Sequence, residues 1–218
     1  MNKKGIINFV SLPDIFSIAN GTLGLIALYF ILIGDISIAA RIVFLCIFFD
    51  SFDGFLARRK NNSADFGKTL DSLSDIISFG VVPSLIFINY GDNSIIALLL
   101  GVIYVIFGLL RLSRFNAIDS SEYYGLPITI GAIFVILLFL SEIHFYLFSV
   151  LLLFTSFLFI SSLKIQRPSK NGKSLVLSSL IFVIISLIPH PYIIIVSRAL
   201  IIFFSSIFLG YILKSHQS

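Results

Sequence analysis

Apolar residues run through this chain in long blocks, and polar residues collect in the short stretches between them. The blocks cover about 15–33, 36–57, 69–90, 94–112, 126–141, 145–163, 174–189 and 191–213. About 20 apolar residues in a helix span the roughly 30 Å hydrocarbon core of a bilayer. The pattern predicts an all-α integral membrane protein with about eight transmembrane helices, some of them short at roughly 16 residues. Residues 1–11 precede the first block and read as a short interfacial segment, with Lys3 and Lys4 in water. No small-residue cleavage site follows them, and the next apolar block is too long for a signal peptide.

The polar connectors alternate in character. Lys3 and Lys4, Arg58 to Lys60 with Lys68, Arg111 and Arg114, the run Lys164, Arg167, Lys170 and Lys173, and Lys214 fall on one side. The opposite connectors, near Gly34–Asp35, Gly91–Ser94, Ser141–His144 and Pro189–Pro191, contain no Lys or Arg. The positive-inside rule then places both termini in the cytoplasm of a multi-pass protein of the cell membrane. Composition agrees: hydrophobic residues make up 58% and charged residues 12% of the 218 positions, and mean hydropathy is +1.06. A soluble domain needs about a quarter charged residues to cover its surface. The net charge of +4 follows from topology and points to no nucleic-acid partner. Cys46 is the single cysteine, so no intrachain disulfide can form.

Two cations break the alternation. Arg41 and Arg198 lie inside apolar blocks near the cation-free side; they either snorkel to that interface or pair with Asp35 or Glu142. His144, His190 and His216 are scattered at loops and the tail, with no assigned role.

Four aspartates stand where a membrane helix tolerates them least. Asp50 and Asp53 close the second block, in FFDSFDGFLARR, and Asp71 and Asp75 open the third, in FGKTLDSLSDIISFG. Positions 50, 53, 54, 57 and 58 share one helical face, as do 71 and 75. The short connector makes the two helices antiparallel neighbours, so both pairs reach similar depth near the cytoplasmic surface. Each acid deep in a span costs on the order of 3 kcal/mol, and the four repel one another. Divalent cations remove both penalties, and clustered carboxylate oxygens suit Mg²⁺, Mn²⁺ or Ca²⁺ over zinc or copper. Gly54, Ala57 and Gly67 lack bulk on or beside this face and admit either a ligand or a neighbouring backbone. Arg58 extends the face and can grip a phosphate or anchor the helix.

Asp50, Asp53-Gly54, Ala57-Arg58, Gly67, Asp71 and Asp75 spell D-x2-DG-x2-AR-x8-G-x3-D-x3-D. This resembles the signature of the CDP-alcohol phosphatidyltransferases at every fixed position. The blocks LPDIFSIANGTLGL, LDSLSDIISFGVVPS, RLSRFN and YYGLPITIGA resemble the serine-using branch of that family, over roughly residues 12–132. Ala64 departs from the pattern where relatives often carry Ser or Thr, with Ser63 beside it.

The resemblance implies a six-helix catalytic core at 12–163, with two additional helices at 174–213. It implies transfer of a phosphatidyl group from a CDP-linked lipid, CDP-diacylglycerol or CDP-archaeol, to the hydroxyl of L-serine, releasing CMP. Asp50, Asp53, Asp71 and Asp75 would hold two divalent ions, and Asp75 would also act as base. Gly54, Ala57, Arg58 and Gly67 would line the CDP-lipid site, with Asn20 reaching the cytosine. Arg111, Arg114 and Asn116 are expected to hold the acceptor, with both guanidinium groups directed into one pocket. The family also implies a homodimer. Alternatives are the same chemistry with glycerol 3-phosphate or inositol phosphate, an intramembrane prenyltransferase, or a transporter with the acids on an ion pathway.

Overall fold

The structure is a computed structural model that describes residues 5–60, 65–118, 123–165 and 173–215. Among the described residues, a short 3-10 turn, Ile6–Phe9, precedes eight helices. These are α1 (Leu12–Leu32), α2 (Ile36–Lys60), α3 (Asp65–Tyr90), α4 (Ile95–Ala117), α5 (Ile128–Leu140), α6 (Phe145–Ile160), α7 (Lys173–Ser186) and α8 (Tyr192–Ser215). An antiparallel pairing of Tyr123–Tyr124 with Lys164–Ile165 joins two connectors. Lys3, Lys4, Ser63, Ala64, Arg167, Lys170 and His216 lie outside the described residues.

Helix ends follow local chemistry, and this moves several predicted boundaries. α1 begins at Leu12 because the Ser11 amide donates to Asp14 Oδ2 at 2.6 Å and Pro13 suits a first helical turn. It stops where Gly34 takes a positive φ of 87° and the Asp35 amide reaches back to the Phe30 carbonyl at 2.8 Å. At the head of α4, Ser94 Oγ accepts from the Ala97 amide. That helix continues through Arg111 and Arg114 to Ala117, five residues beyond the apolar block.

α3 is continuous but carries a π-helical segment at Ile76–Val81, immediately after Asp75. Pro83 follows, and its ring withholds the N–H that an α-helix would direct to the Phe79 carbonyl. The Tyr104 hydroxyl of α4 takes that carbonyl instead, at 3.1 Å, with both residues fully buried. The local irregularity of α3 is thereby locked to its neighbour.

α5 is the most enclosed helix, with Ile128, Gly131, Ala132, Val135, Ile136, Leu137, Leu138 and Leu140 all buried. Phe44 stacks on Phe182 at 5.6 Å to join α2 to α7, and Phe87 meets Phe148 edge-on at 4.9 Å to join α3 to α6. The outer surface is apolar as well: Leu25, Leu32, Leu99, Ile106, Val150, Phe154, Ile184 and Ile195 are exposed. So wide an apolar exterior suits lipid and not water. By length and composition, α1, α3 and α4 can each cross a bilayer. α5 and α6, at 13 and 16 residues, are shorter than a full span.

Side-chain bonds sort the helix ends into two groups. The starts of α1, α3 and α5 meet the ends of α2 and α4 through Ser17–Asp53, Asn116–Ser72 and Thr129–Asp50, and Arg114 near the end of α4 reaches the close of α6. At the other end, Arg41 early in α2 reaches the close of α7, and Arg198 in α8 reaches the close of α5. Of the two predicted readings of these arginines, the pairing with Asp35 or Glu142 is corrected. Arg41 donates to the Ser186 and Ile188 carbonyls, and Arg198 Nε to the Ser141 carbonyl at 3.1 Å. Carbonyls at helix C-termini lack intrahelical partners and carry partial negative charge, so they satisfy a guanidinium without a carboxylate. Glu142 instead meets His190 at 2.8 Å.

Candidate metal centre

The four aspartates converge at the end where α2 finishes and α3 starts. One carboxylate oxygen each from Asp50, Asp53 and Asp71 lies within 4.8 Å of the other two. Metal–oxygen distances of about 2.1 Å for Mg²⁺ and up to 2.6 Å for Ca²⁺ place opposed ligands roughly 4–5 Å apart, so one coordination sphere can take all three. Asp75, one turn further along α3, is buried and interacts electrostatically with Asp50, Asp53 and Asp71.

Side chains from other helices donate to three of these aspartates. Ser17 Oγ donates to Asp53 Oδ2 at 2.8 Å, Asn20 Nδ2 to Asp75 Oδ1 at 3.1 Å, and Thr129 Oγ1 approaches Asp50 Oδ2 at 3.4 Å. Asp71 Oδ1 is buried with no hydrogen-bond partner. An ionised carboxylate accepts at about four lone-pair sites, so one donor from a neighbouring helix fills only part of that capacity. A buried orphan oxygen among three further carboxylates is a poor arrangement for protein alone and a good one for a hard divalent cation. The residues present fit such an ion.

The other sequence-derived candidates divide. Gly54 and Ala57 lie half-buried on α2, continuing the aspartate face. Arg58 follows on that helix, and its side chain lies outside the described residues. At Gly67, an added Cβ would stand 2.6 Å from Asp14 Oδ1, so its lack of a side chain admits α1. Asn20 is fully buried and directed to Asp75. Arg111 is nearly buried, interacts electrostatically with Asp71 and Asp75, and lies 5.5 Å from the Phe115 ring centroid.

Arg114 does not share a pocket with Arg111. Its two terminal nitrogens donate to the carbonyls of Tyr124 (2.7 Å), Phe159 (3.0 Å), Ser161 (3.2 Å) and Ile160 (3.4 Å). Three of these belong to the closing turn of α6 and its cap, where a guanidinium is held by unpaired carbonyls. Gly125, at φ 75°, passes close beneath: a Cβ there would stand 2.3 Å from the Phe159 carbonyl oxygen. Asn116 exchanges hydrogen bonds with Ser72, at 3.0 and 3.3 Å, beside Asp71.

Ser17 and Thr129 escaped the sequence reading. Both are small hydroxyls in apolar helices, where bonding to the helix's own carbonyl is the ordinary outcome. Their signal was positional: Ser17 lies three residues before Asn20 on one face of α1, and Thr129 heads α5.

The CDP-alcohol phosphatidyltransferase family profile matches residues 10–161. Among curated proteins, an archaetidylserine synthase of Methanothermobacter thermautotrophicus is 35% identical over 180 residues, covering 80% of this chain and 77% of that protein. A CDP-diacylglycerol–serine O-phosphatidyltransferase of Methanocaldococcus jannaschii is 36% identical, covering 85% and 88%. One from Helicobacter pylori strain 26695 is 31% identical, covering 81% and 80%.

Proposed function

This chain belongs to the CDP-alcohol phosphatidyltransferase family, and we propose that it moves a phosphatidyl group from a CDP-linked lipid to the hydroxyl of L-serine, releasing CMP. The observation that carries the reading is the meeting of Asp50, Asp53 and Asp71 oxygens within 4.8 Å, in a chain whose relatives are named for this transfer. Diacyl and archaeal ether lipids share the pyrophosphate that such a site addresses.

The chemistry assigns each residue a task. Asp50, Asp53, Asp71 and Asp75 hold divalent ions, two in this reading, of Mg²⁺ or Mn²⁺ with Ca²⁺ as an alternative. Bound there, such ions neutralise the pyrophosphate and stabilise charge developing on the leaving CMP. Asp75 takes the proton from the serine hydroxyl, whose oxygen forms a new bond to the phosphatidyl phosphorus. The bond from that phosphorus to the CMP oxygen breaks, and its electrons leave with CMP. General-base action needs contact at about 3 Å between the Asp75 carboxylate and that hydroxyl. Gly54, Ala57 and Arg58 face the CDP-lipid, whereas Gly67 serves the α1 contact.

Arg111 is the acceptor-binding cation in this reading. Serine carries a carboxylate into a site already rich in negative groups, and a nearly buried guanidinium next to Asp71 and Asp75 offsets that repulsion. Asn116, tied to Ser72, borders the same space. Arg114, held by four carbonyls, fixes the end of α4 that carries Arg111. The catalytic unit comprises α1 to α6, with α7 and α8 added, in a homodimer of the cell membrane whose site faces the cytoplasm.

An acceptor panel tests the reading. Purified protein supplied with CDP-lipid and Mn²⁺ or Mg²⁺ should release CMP with serine and stay near background with glycerol 3-phosphate, inositol phosphate and choline. Release favouring another alcohol would reassign the acceptor. For orientation, Ser37→Cys and Ile118→Cys should label from opposite faces, with buried Cys46 silent; labelling from one face would refute the topology.

A further inference from the structure

We infer that α1, which lies outside the aspartate signature, orients its carboxylates: Ser17 is a positioning residue for Asp53, and Asn20 for Asp75. The inference rests on the metal-assisted reading above and goes beyond it by assigning Ser17 a role and Asn20 a different one.

Both side chains are buried, Ser17 at 3% exposure and Asn20 at 0%. A hydroxyl inside an apolar helix ordinarily turns back to its own backbone. Thr22, Thr155 and Ser156 do so, each donating to the carbonyl four residues earlier at 2.8 Å. Ser17 instead donates across the helix contact to Asp53 at 2.8 Å. Asn20 likewise donates to Asp75, while its own Oδ1 is buried without a partner. An asparagine retained only for helix packing would be expected to satisfy its acceptor too. What the amide secures here is the carboxylate.

The surrounding contacts hold α1 at the required depth. Residues 17, 20, 21 and 24 lie on one face. An added Cβ at Gly24 would stand 2.6 Å from Ser78 Oγ, and one at Gly21 3.1 Å from Ser74 Oγ, so the missing side chains bring α1 against α3. Ser78 Oγ then donates to the Asn20 carbonyl at 3.0 Å and fixes the backbone that carries the amide. A donor on one oxygen restricts rotation of the carboxylate and presents the other to an ion. Outer partners of this kind change metal affinity by about 10- to 100-fold.

The test measures metal uptake without substrate. Purified full-length protein in lipid nanodiscs is titrated with Mn²⁺, and free Mn²⁺ is read by electron paramagnetic resonance. Ser17→Ala should raise the dissociation constant about tenfold, Asn20→Ala should raise it by a comparable factor, and Ser17→Thr should restore it by returning the hydroxyl. Ser84→Ala, which removes a buried hydroxyl facing Gly101 away from the carboxylates, should bind as the unsubstituted protein does. Unchanged affinity in Ser17→Ala overturns the positioning role and leaves the metal reading intact. Equal weakening in Ser17→Ala and Ser84→Ala also overturns it, by assigning the effect to packing. No Mn²⁺ uptake by the unsubstituted protein would remove the metal reading and this inference together.

Discussion

The two ends of the helix bundle meet the same difficulty, charge in an apolar setting, with opposite outcomes. At one end, Arg41 and Arg198 are satisfied by carbonyls where α7 and α5 close. At the other, Asp50, Asp53 and Asp75 each receive a side-chain donor from another helix, and Asp71 Oδ1 receives none. The difference follows from donor and acceptor counts. A guanidinium carries five N–H donors on a long stem, and every helix C-terminus offers spare acceptors. A carboxylate only accepts, its stem is short, and closing helix turns have nothing to donate. Saturated charges of the first kind hold a structure together, whereas surplus acceptors of the second kind await a cation. Arg114 sharpens the point, because it lies at the acidic end yet is saturated by four carbonyls.

Removing divalent ions tests the difference most forcefully. Chelation should take CMP release below detection and Mg²⁺ or Mn²⁺ should restore it; activity that survives chelation would break the contrast. Next in size, Asp75→Asn keeps shape but loses base and ligand, and should lower turnover by about 100- to 10,000-fold with insertion intact. Near-normal CMP release from this variant would reassign the base. Arg111→Lys retains charge but loses the planar fork, so the KM for serine should rise about tenfold while that for CDP-lipid holds. A change in lipid KM alone would make Arg111 an anchor.

The saturated arginines should respond through stability. A lysine at position 114 cannot bracket four carbonyls, so Arg114→Lys should lower the melting temperature in detergent by several degrees. Its serine KM should remain within about twofold of the starting value, since the guanidinium touches backbone and not acceptor. A large selective rise in that KM would return Arg114 to the acceptor site. Smallest of all, Arg41→Met should cost some thermal stability and leave the metal dependence of activity unchanged. A shifted Mn²⁺ requirement would show that the two ends are coupled.

Much of this was legible in the sequence because the signals were collective. Eight apolar blocks forecast eight helices, and four acids at helical spacing across one short connector forecast the cluster. Pairwise choices were not legible. Arg111 and Arg114 share spacing and charge, yet only three-dimensional packing decides that one faces acids and the other the close of α6. Ser17 was hidden because a serine in an apolar helix has a local acceptor in reach, and nothing in the sequence says that it will prefer Asp53. The π-segment after Asp75 was equally silent: Pro83 signalled a break, but Tyr104 as its remedy comes from another helix.

Anomalous scattering from crystals grown with Mn²⁺ and a CDP-linked lipid addresses the central claim most directly. The account predicts Mn²⁺ peaks among the Asp50, Asp53, Asp71 and Asp75 carboxylates, in contact with the pyrophosphate oxygens. Catalytically active crystals with a bound CDP-lipid and no Mn²⁺ peak at those carboxylates would contradict it.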